Sequence, residues 1–111
     1  MFFEPKEVVL RAERTKTVRR SLTARYRRGR DLVFEGQDLG EGVSDVWGYD
    51  EYEWTWTIKA FDVPKLMLAL DVRRKLLTEI KRRFSGPNAS FIEDFLKENT
   101  VPYLFWSRVG D

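Results

Sequence analysis

The segment from Tyr49 to Ala60 constrains the fold of this chain more than any other. Apolar and polar side chains alternate along it, with the two-residue period of a strand that buries one face. The apolar face carries Tyr52, Trp54, Trp56 and Ile58. Three aromatic rings in a row form a large apolar surface, which needs helices or a second sheet packed over it. We therefore expect the carboxy-terminal half of the chain to cover this face and to close it to ligands.

Three further strands are predicted before this segment, over residues 6–13, 18–27 and 32–37. Each shows the same alternation, and short connections separate them. In the second strand, Arg20 falls on the apolar face, while other arginines fall on the polar face. Because parallel pairing would need long crossovers, the short connections favour an antiparallel meander.

After the fourth strand the apolar residues recur with a helical period. Asp62-Val63-Pro64 is a typical helix start, with Asp as N-cap and Pro in the first turn. The apolar stripes before and after Asp71 do not share one register, which favours a break there, although a single helix over residues 63–84 remains an alternative. A further helix is expected to follow Gly86-Pro87 and to run to about Asn99.

These elements predict a single α+β domain over residues 1–111, a length that can bury one hydrophobic core. We expect two layers: an antiparallel sheet of about four strands from residues 1–60, and two or three helices from residues 62–99 packed on one of its faces. The apolar segment 101–107 is expected to dock on the core or to add to the sheet edge.

The sequence contains no histidine and no cysteine. The lack of histidine excludes Ser-His-Asp and Cys-His catalytic sites and nearly all metal sites built on imidazole. The lack of cysteine excludes disulfides, thiolate nucleophiles and zinc ribbons, and it suits a reducing compartment. We therefore expect a non-catalytic protein that uses no cofactor and no metal.

No stretch of the sequence is long and uncharged enough to span a bilayer, and the first ten residues lack the pattern of a signal peptide. The mixture of 42% hydrophobic and 34% charged residues is that of a folded protein with a well-solvated surface. We expect a cytoplasmic protein without a membrane partner.

An eleven-residue connection, residues 38–48, interrupts the strand pattern and contains three glycines. Ordered connections of this length are often functional. Its glycines match neither a dinucleotide fingerprint nor a P-loop, and its acids lack the ligand spacing of an EF-hand. Together with the residues up to Asp50, it offers charge and aromatic anchors, the composition of a protein interface. The predicted protein-binding residues are Asp38, Glu41, Asp45, Trp47 and Tyr49. Tyr103 and Trp106 would extend this surface if they lie beside it.

The charges along the chain are strongly segregated, which supports an alternative function. Residues 1–30 carry ten Lys/Arg and three Glu, a net charge of +7, whereas residues 31–62 carry nine acids and one Lys, a net charge of −8. A basic surface made of Arg19, Arg25, Arg27 and the Lys/Arg-bearing helix would bind nucleic acid. Pairing of opposite charges between adjacent strands would explain the same segregation without any ligand.

A third hypothesis is a carboxylate-based hydrolase, which would need two acids converging in one concave pocket. The sequence leaves the oligomeric state open, and a homodimer is one alternative.

Three short motifs carry a resemblance to other proteins: Gly36-Gln37-Asp38-Leu39-Gly40, Glu51-Tyr52-Glu53-Trp54 and Pro102-Tyr103-Leu104-Phe105-Trp106-Ser107. With these motifs in this order, the chain resembles a group of small, uncharacterised bacterial proteins. As a short α+β protein with an acidic connection, it is also similar in type to the immunity proteins of bacterial toxin systems. No site residues are carried over from either group, and the chain's net charge of +2 departs from the acidic character common among inhibitors of nucleases.

Overall fold

The sheet of this protein is a five-stranded antiparallel meander within residues 4–40 and 51–110, the part of the chain that the computed structural model describes. The strands lie side by side in chain order. They are β1 (Glu7–Arg14), β2 (Val18–Tyr26), β3 (Leu32–Gly40), β4 (Glu51–Ile58) and β5 (Leu104–Gly110). The prediction of an α+β fold with an antiparallel meander is confirmed. The sheet has one strand more than predicted, because Leu104–Gly110 pairs with β4.

Three short helices follow β4 in the described part of the chain. They are α1 (Val63–Leu70), α2 (Leu76–Phe84) and α3 (Ile92–Glu98), with 3₁₀ turns at Ala60–Asp62 and Gly86–Phe91. Asp71 ends α1 in the left-handed conformation, with φ of 56°. Its N–H donates to the Leu68 carbonyl at 3.1 Å, and the next N–H donates to the Met67 carbonyl at 3.0 Å. The break at Asp71 that the apolar stripes favoured is therefore present.

The hydrophobic core lies between the helices and one face of the sheet, which we call the inner face. The sheet contributes the buried residues Val8, Leu10, Leu22, Ala24, Leu32, Phe34 and Ile58. The helical layer contributes Leu66, Leu70, Leu77, Ile80, Ile92 and Leu96, among others. These side chains are at most 4% exposed, so the part of the inner face that the helices cover is closed to solvent.

The helices cover only part of the inner face. A helix of nine residues is about 13 Å long, whereas a strand of nine residues spans about 30 Å. Ile58, near the helices, is completely buried, but Tyr52, Trp54 and Trp56 on the same face of β4 remain partly exposed. The expectation that the carboxy-terminal half closes the whole aromatic face is therefore wrong for the end of the sheet away from Ile58.

Candidate binding surfaces

The structure describes only Asp38 among the five predicted protein-binding residues. Glu41, Asp45, Trp47 and Tyr49 lie in the 41–50 segment, outside the described residues. Asp38 is opposite Arg20 and Tyr52 in the sheet, which places it on the inner face. Burial raises the pKa of the Asp38 carboxyl, and the positive charges of Arg20 and Arg11 oppose that shift.

The arginines predicted to bind nucleic acid do not share a face with the β4 aromatic residues. Arg19 and Arg25 are on the outer face of β2, and Arg27 follows the end of this strand. Arg25 Nη2 lies 2.6 Å from Glu35 Oε1 on β3. In this region, then, part of the charge segregation along the chain becomes ion pairing between neighbouring strands.

Strand β5 exposes apolar side chains on both of its faces. Leu104 is 62% exposed, Phe105 55%, Trp106 51% and Val109 43%, and we call these four residues the β5 patch. Tyr103, just before the strand, packs against the core and donates a hydrogen bond to Glu93 at 2.8 Å. Of the two carboxy-terminal aromatic residues singled out from the sequence, only Trp106 is thus presented on a surface.

Strand β5 is also an edge of the sheet. It pairs with β4 on one side, and no described strand pairs with its other side. The opposite edge, β1, has a register irregularity between Val9 and Arg11 and several charged side chains. Bulges and charges are devices that protect an edge from pairing with another chain. Within the described residues, β5 lacks comparable protection, since Arg108 is its single charged residue.

Charged groups border the β5 patch on the outer face. Arg108 Nη2 lies 3.3 Å from Glu53 Oε2 and 3.8 Å from Glu51 Oε1. The amide of Gln37 donates to Glu51 at 3.0 Å and to Glu53 at 3.1 Å. An apolar centre with a charged rim is the usual composition of a protein interface.

A second concave surface, which we call the inner cleft, lies where the helical layer stops short on the inner face. Its volume is about 500 Å³. Its aromatic lining consists of Tyr52, Trp54, Trp56 and Phe105, and its polar lining consists of Arg11, Asp38, Ser90 and Glu93. Clefts of this size with an apolar floor and a few polar groups are typical ligand sites.

The Trp54 ring lies directly over Gly36 of β3. A Cβ atom at position 36 would be 2.2, 2.3 and 2.7 Å from three atoms of the indole. Only glycine at position 36 therefore leaves room for the ring where it lies. The Tyr52 ring is nearly parallel to it, with the two ring centroids 5.4 Å apart and an angle of 23°. The cleft therefore has a floor of extended aromatic surface.

Several polar groups of the inner cleft are incompletely hydrogen bonded by the described residues. Arg11 Nη2 donates to Ser90 Oγ at 2.9 Å, but Arg11 Nε is buried at 3.4 Å from Glu13 Oε1 and makes no hydrogen bond. The indole N–H of Trp56 is buried without an acceptor among these residues. Asp38 makes no hydrogen bond and no ion pair with them. Buried groups of this kind are rare in folded proteins and mark places where a water or a ligand completes the bonding.

Sequence analysis did not identify the inner cleft, although two signals of it are present in the sequence. Arg20 interrupts the apolar face of the second strand, and Asp38 continues the buried face of Leu32, Phe34 and Gly36 in period two. Arg20 and Asp38 are therefore the polar residues at which the inner face is no longer part of the hydrophobic core. The cleft also brings two acids, Asp38 and Glu93, into one concavity, as the hydrolase hypothesis requires, but Glu93 already accepts the Tyr103 hydrogen bond.

Across residues 4–40 and 51–110, no three acidic side chains are grouped so that they could hold a metal ion. Within these same ranges, none of the helices has the length and apolar character needed to cross a membrane.

Comparisons with protein families, with curated proteins and with solved structures found no match to this chain. The resemblance to small bacterial proteins stays a prediction. Function is therefore argued from the two surfaces themselves.

Proposed function

We propose that this protein is a non-catalytic protein-binding domain whose β5 edge accepts an extended segment of a partner. The observation that carries the proposal is the combination of an edge with which no described strand pairs and exposed apolar side chains on both faces of β5. A partner strand added to such an edge gains main-chain hydrogen bonds, while pockets for alternate side chains provide specificity.

The β5 patch supplies apolar surface that a bound segment would cover. Full burial of a large apolar side chain stabilises by roughly 1.5–3 kcal/mol, so covering the exposed half of each patch residue contributes about 1 kcal/mol. Trp106 is the best candidate for an anchor, because tryptophan is enriched among the residues that dominate binding energies. The ion pairs of Arg108 with Glu51 and Glu53 would form part of the rim.

The predicted acidic connection joins the sheet close to this edge. It leaves β3 at Gly40 and enters β4 at Glu51, and Glu51 is the register partner of Gly110 in β5. Glu41, Asp45 and Trp47 belong to this connection. We propose that its acids favour a partner whose apolar segment is flanked by basic residues.

A cytoplasmic, immunity-type role, in which the domain binds and neutralises another protein, is one form of this function. A second copy of the chain is an alternative partner, because antiparallel pairing of two β5 strands would form a continuous sheet across a two-fold axis.

The proposal is tested by replacing the outer-face apolar residues of β5 with charged residues. We expect the double variant L104K/W106K to lose the partner that the wild-type chain captures from a native lysate, and to lose any self-association seen by light scattering. Both side chains are more than half exposed, so the fold should tolerate the change, and circular dichroism checks this.

The matched control is F61K/L68K, which alters two apolar residues of the helical layer that are still more exposed, at 78% and 82%. This control should retain the partner. Equal capture by all three proteins, or no specific partner and no self-association for the wild-type chain, would contradict the proposal.

A further inference from the structure

The inner cleft has the features of a small-molecule site on the face of the sheet opposite the outer-face residues Leu104 and Trp106. Its floor is the indole of Trp54, held over the backbone by Gly36, with Tyr52 beside it. The indole lies against Gly36, and Trp54 also lines the cleft.

The residues around this floor include hydrogen-bond donors and acceptors, which suits a ligand that both accepts and donates hydrogen bonds. Arg11 Nε and the Trp56 indole N–H are buried donors without an acceptor among the described residues. Asp38 is an acceptor that the described residues do not hydrogen bond, and burial raises its pKa. A ligand with donors alone, or with acceptors alone, would leave part of this set unpaired.

The charges of the cleft favour a ligand without net charge. Arg11 Nε lies 3.4 Å from Glu13 Oε1, the positive charges of Arg20 and Arg11 act on Asp38, and the other carboxylate lining the cleft, Glu93, lies 3.9 Å from Lys97. A phosphate would meet two carboxylates, and a cation would meet the Arg11 guanidinium. Neither kind of charged group fits as well as a neutral one.

We propose that the inner cleft binds an uncharged, planar heteroaromatic ring that carries both hydrogen-bond donors and acceptors, the chemistry of a nucleobase. The ring stacks on Trp54, while Arg11 donates to it and Asp38 accepts from it. The cleft shares Phe105 with the β5 patch, but Leu104 and Trp106, the residues whose replacement tests partner binding, do not line it.

The probes are the nucleosides adenosine, guanosine, cytidine and uridine, titrated into the full chain and followed by calorimetry and by tryptophan fluorescence. We expect saturable binding of at least one of them.

W54A should weaken that binding about tenfold or more, the loss expected from one stacked base. W54F, which keeps a ring, should retain part of the affinity and guards against unfolding of the alanine variant. D38N should change the preference among the four nucleosides, because it replaces two acceptor oxygens with one acceptor and one donor.

The matched control is W106A, which removes an indole from the outer face and should leave nucleoside affinity unchanged. The corresponding nucleoside monophosphates should bind no more tightly than the nucleosides.

Tighter binding of the monophosphates with a steep salt dependence would overturn the proposal in favour of an anion site. Binding of a neutral trisaccharide but of no nucleoside would overturn it in favour of a sugar site, and binding of none of these probes would overturn it outright.

Discussion

Gly36 controls the position of the Trp54 ring and hence the floor of the inner cleft. The two residues are register partners on β3 and β4, and the indole occupies the space that any side chain at position 36 would need. Glycine is normally unfavourable inside a strand. Here it allows a large aromatic side chain to lie against the sheet, which explains why the apolar pattern of β3 contains a residue with no side chain.

Substitution of Gly36 by alanine should destabilise the protein by roughly 1–3 kcal/mol, the usual cost of overpacking. The physical reason is the approach of 2.2 Å between the added Cβ atom and the Trp54 ring. Urea unfolding of the wild-type chain and of G36A measures the difference.

The double variant G36A/W54L serves as the control, because a leucine can move away from position 36. Its stability should be close to that of W54L alone. If G36A is as stable as the wild-type chain, the ring does not lie over Gly36.

At the scale of elements, α2 combines a buried apolar stripe with an ion-pair cluster on its solvent side. Leu76, Leu77 and Ile80 are buried. Glu79, one turn before the basic end of the helix, accepts hydrogen bonds from Arg82 Nε at 2.9 Å and Arg83 Nε at 2.7 Å. Spacings of three and four residues place these side chains together on one helix face. The basic run that suggested nucleic-acid binding thus includes two arginines already paired within the helix.

The hydrogen bonds from Arg82 and Arg83 lower the pKa of Glu79 from 4.5 to about 2. Because the folded chain favours the ionised carboxylate, this contribution to stability is complete above pH 4.5 and is lost as the pH falls towards 2. E79Q should therefore be less stable than the wild-type chain at pH 7, and the difference should vanish near pH 2. Urea midpoints measured across this pH range test the prediction.

An exposed glutamate at the end of α3 provides the comparison. E98Q should follow the wild-type curve at every pH. A difference between E79Q and the wild-type chain that persists unchanged at pH 2 would mean that the Glu79 pairs do not set the pH dependence.

At the scale of the whole molecule, sheet and helices share a single core, although the helices cover only part of the sheet. Phe34 and Ile58 of the sheet belong to the same buried cluster as Leu77 and Ile92 of the helices. Neither layer can bury its apolar face without the other. The long, partly uncovered sheet leaves two candidate binding surfaces, the inner cleft and the β5 edge.

We expect heat and urea to unfold the protein in one cooperative transition, because both layers lose their core together. For a domain of this length, the unfolding enthalpy should be roughly 60–80 kcal/mol. Far-UV circular dichroism follows the helices and strands, and tryptophan fluorescence follows the aromatic face, so the two curves should coincide. Two separate midpoints would show that the layers are independent.

Most of the fold could be predicted from the sequence because its period changes clearly from two to that of a helix after residue 60. The break at Asp71 was also visible, since two apolar stripes out of register cannot lie on one helix face. The pairing of β5 was only one of two alternatives, because an apolar segment of seven residues fits a core contact and an edge strand equally well.

The candidate sites were less predictable. Trp106, which the sequence placed only conditionally beside the acidic connection, belongs to the proposed interface at β5, whereas Arg19, Arg25 and Arg27 are separated from the aromatic face. Aromatic residues on one strand face indicate core in most proteins, so the pattern around Trp54 gave no reason to expect a cleft.

By itself, the sequence determined the first four strands, the helical segments after them and the side of each of those strands that faces the helices, because these depend on local periodicity and on chain connectivity. Only the tertiary structure decided how far the helical layer reaches across the sheet. Helices rise less than half as far per residue as strands. The length of sheet left uncovered therefore depends on how the short helices pack, and that packing exposes Tyr52 and Trp54 beside Arg11 and Asp38.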